Sequence, residues 1–171
     1  LSYRAAVKSL PERELLCGFV SGRVELEHWN PGELFQFYHD TRPLAGDLEF
    51  LRPMAGQEAA ALAVRDGACA LYHGCAHNLL HGRSREALGE LYKAAGFTLR
   101  AKYFVETKTY LARQSDLLSG LRGEDHDLLM EGIALRSCPN LDDREFDRLS
   151  GKLVEWAGAL LATCVSKKFP V

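Results

Sequence analysis

The sequence has 171 residues, of which 47% are apolar and 26% are charged, and its net charge is -2. This length supports one domain with a buried core, and the composition is that of a globular protein rather than a disordered or fibrous one. The small net charge excludes a bulk basic field for nucleic acid or anionic membrane. No apolar run approaches the roughly 20 residues of a membrane span. We therefore expect no membrane partner and no strong nucleic-acid signal.

The N-terminal part shows the least helical periodicity. Residues 18–29 have strand character, and so does the short segment 46–51. The sequence also begins with leucine rather than methionine. We expect residues 1–29 to form a less regular arm, the tail of a preceding domain, and residues 30–171 to form a helical bundle.

Helix signals begin at Asn30, which precedes Pro31 as an N-cap precedes a proline in the first helical position. The helix that follows has a set of core-facing side chains, namely Leu34, Phe35, Phe37 and Tyr38. A second helix is predicted over 57–81 from its apolar stripe. Gly82 is expected to end that helix in the C′ position, and Ser84 to cap the next one.

The helix that begins at Ser84 is predicted to run to about residue 112. Ser115 is expected to cap a short helix that ends near Gly120. Residues 123–137 are expected to form another helix, which ends before Pro139 and Asn140. The last helix covers 142–165, with an acidic first turn and a basic tail, as the helix dipole favours. Short connections between such helices predict antiparallel neighbours. The predicted fold is all-α, an up-and-down bundle of five to six main helices, with the second and third long helices as an antiparallel pair.

The five cysteines are odd in number, widely spaced and form no CxxC pair. Reduced thiols that pack as small apolar side chains are the expectation, together with a cytoplasmic location.

Three histidines follow one another at four-residue intervals, His73, His77 and His81. A pair at this spacing can bind Zn²⁺, but the third ring lies ~12 Å along the axis from the first. The glutamate that turns such a pair into a hydrolase site is missing. Three interpretations stay open: a polar seam on a packed helix, a substrate- or interface-lining face, or a metal pair. We expect that the histidine row does not bind a structural zinc ion.

Other candidate side chains flank this row or lie in the first helix. At ~100° per residue, Tyr72 and Asn78 lie ~120° apart around the axis, whereas His73 and His77 are only ~40° apart and point together. The His39–Asp40 dipeptide is typical of HD-type metal-dependent phosphohydrolases, although those also need an earlier histidine and a much later aspartate. The chain contains no GxxxxGK[ST] and no GxGxxG phosphate cradle.

Three segments together resemble a known family: GFVSGRVELEHWNPGELFQFYHDTRPLAGDL, ACALYHGCAHNLLHG and REALGELYKAAGFTLRAKYFVETKTYLARQSDLL. They are similar to the C-terminal helical part of bacterial nucleotidyltransferase-domain proteins. Those proteins join a small nucleotidyltransferase domain to a HEPN-like or kanamycin-nucleotidyltransferase-like bundle. The resemblance covers roughly residues 18–137 and contains no catalytic signature.

The resemblance implies that catalysis belongs to a preceding domain, with its Gly-Ser, Asp-x-Asp and later carboxylate. Mg²⁺ and a nucleoside triphosphate are expected only for that intact enzyme, so this chain alone holds no cofactor, no metal and no catalytic residue. Its implied role is acceptor binding or dimerisation, with the upstream domain and a second copy of the chain as partners. The candidate substrate-lining residues are Tyr38, His39, Asp40, Tyr72, His73, His77 and Asn78. Two alternatives remain: a stand-alone HD-type phosphohydrolase and a non-catalytic helical interaction domain.

Overall fold

The computed structural model describes residues 5, 7, 8, 10–13, 20–137 and 141–166. Within these ranges the chain forms seven α-helices, a 3-10 helix and a π-helical turn, and it contains no β-strand. The all-α bundle prediction is confirmed. In chain order the elements are α1 Arg23–Glu27, α2 Pro31–Asp40, the 3-10 helix Glu49–Met54, α3 Gln57–His77, the π turn Asn78–Gly82, α4 Arg85–Thr107, α5 Gln114–Gly120, α6 Gly123–Arg136 and α7 Asp143–Ser166.

The two segments predicted to have strand character contain helical turns instead, Arg23–Glu27 in the first and the start of the 3-10 helix in the second, and none of their described residues forms a strand. In α1 the Arg23 guanidinium pairs with the Glu27 carboxylate one turn later at 2.8 Å. The 3-10 helix follows Asp47, whose carboxylate accepts the Glu49 N–H at 3.1 Å. These local contacts favour a helical turn over an extended chain, and tertiary burial of Leu26 supports them.

The start of α2 agrees with the sequence prediction. The Asn30 side chain accepts the N–H groups of Gly32 and Glu33 at 2.8 and 3.1 Å. Gly32 also lets α2 approach α3 closely, because a Cβ at this position would lie 2.9 Å from the backbone nitrogen of Ala63. Leu34 and Phe35 are buried as expected, whereas Phe37 and Tyr38 are only half-buried.

The end of α3 differs from the prediction. The helix stops at His77 and continues into the π turn, and the left-handed residue is Arg83 (φ 46°) rather than Gly82. The reason lies in Asn78, whose side chain bonds both backbone groups of Ser84 and whose carbonyl accepts the Arg83 N–H. Ser84 caps α4 as predicted, since its hydroxyl accepts the Ala87 N–H at 3.1 Å.

Helix α4 ends at Thr107, five residues before the predicted end. Lys108 adopts a left-handed conformation (φ 63°), and its N–H closes the last turn on the Phe104 carbonyl at 2.8 Å. The Thr107 hydroxyl donates to the Tyr103 carbonyl and accepts the Thr109 N–H, so a side chain replaces the next helical bonds.

The prediction that Ser115 caps the short helix was wrong. Helix α5 already begins at Gln114, so Ser115 lies inside the helix. The Ser115 hydroxyl donates to the neighbouring Asp116 carboxylate instead. The last helix begins close to its predicted start, with the Asp142 carboxylate accepting the Glu145 N–H at 2.7 Å. Pro139 and Asn140 lie outside the described residues.

Helix α3 is the centre of the bundle. Its first residue, Gln57, donates to the Val105 carbonyl near the end of α4 at 2.8 Å, so α3 and α4 are antiparallel as predicted. On the other side of α3 packs α7, where the Cys75 thiol donates to the Ser150 carbonyl at 3.3 Å. Helix α6 covers the remaining side of α4. The large side chains of this core that are less than 2% exposed are Phe35, Leu71, Leu88, Leu99, Leu117, Leu128, Phe146 and Leu153.

A second, smaller apolar cluster joins the N-terminal helices to the 3-10 helix. Its buried members are Leu26, Leu34 and Leu51, and Tyr38 packs against them from a half-buried position. Across the described ranges, no helix is long and apolar enough to cross a membrane.

Candidate functional site

The second half of α3 and the π turn present an exposed surface without formal charge. Residues 67–82 contain no Asp, Glu, Lys or Arg. Apart from Gly82, seven of these residues are exposed, and we refer to them as the histidine face: Cys69, Ala70, Tyr72, His73, His77, Leu80 and His81.

The three histidines form a continuous row along this face. The ring centroids of His73 and His77 lie 6.4 Å apart, and those of His77 and His81 lie 5.2 Å apart. The four-residue spacing explains the row, because side chains one helical turn apart stack on one side of a helix. Three exposed imidazoles therefore offer hydrogen-bond donors and acceptors to whatever covers this surface.

Two neighbouring candidates occupy different positions from the row. Tyr72 lies at the border with α7, where its ring packs beside Gly158 yet stays 45% exposed. Asn78 is only 5% exposed, and its amide is engaged with Ser84 through two bonds of 2.9 Å. The structure thus places Asn78 inside the bundle, where its side chain closes the π turn and is not open to a substrate.

Charged residues bound the histidine face at both ends. At the α3 end, Arg65 pairs with Asp66 at 3.3 Å. At the π-turn end, Arg83 pairs with Asp147 of α7 at 2.8 Å. An uncharged centre with a charged rim is the usual anatomy of a protein–protein interface.

The second candidate, His39, lies in an aromatic environment at the end of α2. Its ring stacks on Tyr110 with centroids 4.5 Å apart and an angle of 18°, and Phe35 and Phe104 flank it at 4.6 and 5.3 Å. Its Nε2 lies 3.3 Å from the carbonyl of Ala55. Burial lowers the pKa of His39 below its ordinary value of 6.5, although the Ala55 carbonyl and the Asp40 carboxylate act in the opposite direction.

The neighbouring Asp40 carboxylate is engaged with groups of α4 and the segment that follows it. Tyr110 donates its hydroxyl to one carboxylate oxygen at 2.7 Å, and the Arg100 guanidinium lies 3.8 Å from the other. Burial and the adjacent carboxylate raise the pKa of Tyr110 above its ordinary value, so this hydroxyl stays a donor. The arrangement ties the end of α2 to the bundle.

The other parts of an HD-type site do not come together around His39 and Asp40. His28, an earlier histidine in the chain, is the C-cap of α1, and its Nδ1 lies 2.8 Å from the carbonyl of Val24. In the part of the chain that the structure describes, no three His, Cys, Asp or Glu side chains are placed to share a metal ion. Tyr38, the remaining candidate, touches His39 edge-on at 5.2 Å and belongs to the small apolar cluster.

Sequence reasoning missed the partners of Asp40. Arg100 belongs to α4, and Tyr110 lies beyond the end of that helix, although the predicted helix included it. The pairing of Tyr110 with Asp40 spans 70 residues, and no local pattern signals a contact at that separation.

Comparisons of the chain with protein-family models, with curated proteins and with solved structures found no match. The fold and the site alone define the class of this protein, an all-α bundle with one histidine-rich helix face that lacks Asp, Glu, Lys and Arg.

Proposed function

We propose that this chain is the helical assembly module of a nucleotidyltransferase-type protein, and that it pairs with a second copy through the histidine face. The observation that carries the proposal is the exposed, charge-free stretch 67–82 on the central helix. At 1.5 Å per residue this stretch is ~24 Å long. An exposed surface of this length with Tyr72 and Leu80 and without charges has the composition of an interface centre.

Charge favours a second copy as the occupant of the face. A partner recognised by electrostatic complementarity would need charged groups on this surface, and residues 67–82 supply none. Self-pairing in a two-fold symmetric arrangement brings the same patch against itself, which repels when the patch is charged and does not when it is neutral. In an antiparallel pair, the Arg65–Asp66 end of one copy meets the Arg83–Asp147 end of the other, so the rims are mixed in sign.

The link to nucleotidyltransferases rests on the resemblance of the three segments. In this proposal a preceding domain supplies the carboxylates that hold Mg²⁺ ions, and those ions neutralise the triphosphate and activate the acceptor. The bundle supplies assembly. Reading the genomic sequence before Leu1 tests this link, because Gly-Ser and Asp-x-Asp codons are expected there, and a start codon directly before Leu1 would contradict it.

Acceptor binding is the second form of the same proposal. It is supported by the exposed rings of His73 and His77, which point the same way and can hydrogen-bond an acceptor hydroxyl or phosphate. Alanine at either position is expected to weaken acceptor binding in the full-length protein without lowering its melting temperature. The phosphohydrolase alternative receives less support, because Asp40 is engaged by Tyr110 and His39 is packed among aromatic rings.

The assembly proposal is tested by the mass of the protein in solution. Leu80 is 72% exposed, so Leu80→Glu leaves the fold intact and places a carboxylate on the face, at its π-turn end. Met130→Glu is the matched control, since Met130 is 43% exposed on α6 and the charge change is the same. Sedimentation velocity should find a dimer for the wild type and Met130→Glu. For Leu80→Glu, the dissociation constant should rise about 100-fold.

Circular dichroism of both variants confirms that the fold is retained. A wild-type protein that sediments as a monomer at every concentration would overturn the assembly proposal. Equal dissociation of the two variants would overturn it as well, because the effect would then come from net charge rather than from the face.

A further inference from the structure

A stripe of α4 turns toward α5 and α6 and leaves a cavity between the three helices. Lys93, Gly96, Phe97 and Arg100 are spaced three and four residues apart, so they lie on one side of α4. Gly96 has no side chain to fill the space, and a Cβ there would reach only to 3.8 Å from Leu129. The resulting cavity measures about 220 Å³, and Gln114 of α5 and Arg136 of α6 complete its wall.

The charged groups in this cavity wall all have the same sign. Lys93, Arg100 and Arg136 line it, and no carboxylate does so among the described residues. Two of the three cations have an acid nearby: Lys93 lies 3.1 Å from Glu90, and Arg100 lies 3.8 Å from Asp40. The lining itself therefore carries three cationic side chains and no carboxylate, and the acids that pair with two of them lie outside it.

Arg136 is the least compensated of the three cations. Its guanidinium donates to the Gln114 amide oxygen at 3.4 Å, which is a long bond to a neutral group. Among the described residues it forms no salt bridge, and Glu86 and Glu90 line a second cavity that Arg136 also lines. Arg136 is exposed, so its side chain can turn toward a ligand without disturbing the core.

Arg100 supplies a fixed donor on the opposite wall. Its side chain is only 18% exposed, and its guanidinium lies over the Phe97 ring at 5.1 Å. Its Nε is buried and has no hydrogen-bond partner among the described residues. Because this Nε has no exposed surface, an anion in the cavity accepts from the terminal NH groups of the Arg100 guanidinium, which form charge-assisted bonds.

We propose that this cavity binds a phosphate group, with Arg100, Arg136 and Lys93 as the binding residues and Gln114 as a neutral partner. Tetrahedral oxyanions match the donors of guanidinium forks. The size of the ligand follows from the volume, because sites that enclose drug-sized ligands measure about 300–1,000 Å³. A cavity of 220 Å³ encloses a phosphate, free or as the end of a small metabolite, and leaves the rest of such a metabolite outside. This site is separate from the histidine face and does not depend on the assembly proposal.

Isothermal titration of the full chain with inorganic phosphate tests the site at low ionic strength, where screening is weakest. Saturable binding is expected, and Arg136→Gln should weaken it about tenfold or more, as the loss of a charge-assisted bond does. Arg52→Gln is the matched control, because Arg52 is an exposed arginine of the 3-10 helix that pairs with Glu49. It removes the same charge and should leave the affinity unchanged.

A second variant addresses the Arg100 guanidinium. Arg100→Lys keeps the charge but removes the planar fork and its Nε–H, and it should also weaken phosphate binding; because Arg100 lies near Asp40, a melting curve accompanies this variant. Adenosine monophosphate provides a further arm: tighter binding than phosphate would identify the group as part of a nucleotide, and equal affinity would identify a free oxyanion.

Two results would overturn the proposal. One is the absence of saturable phosphate binding by the wild type up to ~10 mM, where any residual affinity is below about 3 kcal/mol. The other is an equal loss of binding in Arg136→Gln and Arg52→Gln, which would mean that phosphate responds to net charge and not to the cavity.

Discussion

Replacing Asn78 with alanine separates a structural role of this side chain from a role at a surface. The amide donates to the Ser84 carbonyl and accepts the Ser84 N–H, both at 2.9 Å, and it is 5% exposed. Asn78→Ala removes both bonds and leaves the Ser84 N–H without a partner, whereas the Ser84 carbonyl keeps the Leu88 N–H at 3.1 Å. The unpaired N–H costs about 1–3 kcal/mol and the second lost bond about 0.5–1.5 kcal/mol, so the gross loss is about 2–4 kcal/mol. The better helix propensity of alanine offsets up to about 0.7 kcal/mol of this loss.

The net prediction is a loss of about 2–3 kcal/mol in the free energy of unfolding, measured by urea denaturation. For a chain of this size, the melting temperature should fall by roughly 5–12 °C. His81→Ala in the same π turn is the control, because His81 is exposed and should change stability by less than about 0.5 kcal/mol. Ser84→Ala calibrates the scale, since it removes only the helix cap and should cost about 1 kcal/mol.

A loss below about 0.5 kcal/mol for Asn78→Ala would refute the reasoning, because it would mean that the two bonds do not hold the π turn. Unchanged stability with altered self-association would assign Asn78 to the surface instead.

The remaining predictions concern the polar groups behind α2 and the cysteines of α3. Tyr110→Phe should lower the unfolding free energy by about 1 kcal/mol in urea, because it removes the 2.7 Å bond to the partly exposed Asp40, and an unchanged midpoint would contradict this. Burial raises the pKa of Cys75 to about 11, so in the native protein at pH 8 a maleimide should modify exposed Cys69 and spare Cys75, and equal labelling in a mass spectrum would contradict this burial. The pKa of His39 in the folded protein lies below its ordinary value of 6.5, so between these two pKa values the unfolded chain binds more protons than the folded chain. The free energy of unfolding that is present above about pH 6.5 should therefore decline as the pH falls below 6.5 toward the folded pKa. The decline between pH 7 and 5.5 should be smaller in His39→Phe, and an equal decline in both proteins would show that other groups cause it.

Local signals in the sequence were sufficient for most helix starts. Asn30 and Ser84 are caps because their side chains can reach the free N–H groups of the next turn, which depends on neighbouring residues only. The apolar stripe of α3 similarly predicts burial against α4 and α7. These features follow from spacing, so they could be predicted without knowledge of the fold.

Helix ends and the polar contacts between helices could not be predicted in the same way. Gly82 is the residue expected in a left-handed cap, yet the Asn78 side chain shifts that position to Arg83. The end of α4 depends on a competition between the Thr107 hydroxyl and the next helical bonds. Such outcomes depend on bonds of similar strength, and the order of residue types does not decide between them.

The candidate site was partly predictable for the same reason. The four-residue spacing places His73, His77 and His81 in one row, which the structure shows. The cavity beside Arg100 needs three helices in register and a glycine at position 96, so it is a property of the tertiary structure. In the sequence its arginines and lysine look like any solvated helix face.

A distance measurement between two copies of the chain tests the proposed assembly most directly. A nitroxide label on His77→Cys, in a background where the native cysteines are replaced by serine or alanine, reports the separation across the dimer by pulsed electron spin resonance. A label on Met130→Cys of α6 serves as the reference. Pairing through the histidine face predicts a short, narrow distance distribution for the first label and a longer one for the second. The reverse order, or no dipolar coupling for either label at concentrations where the protein sediments as a dimer, would contradict the account.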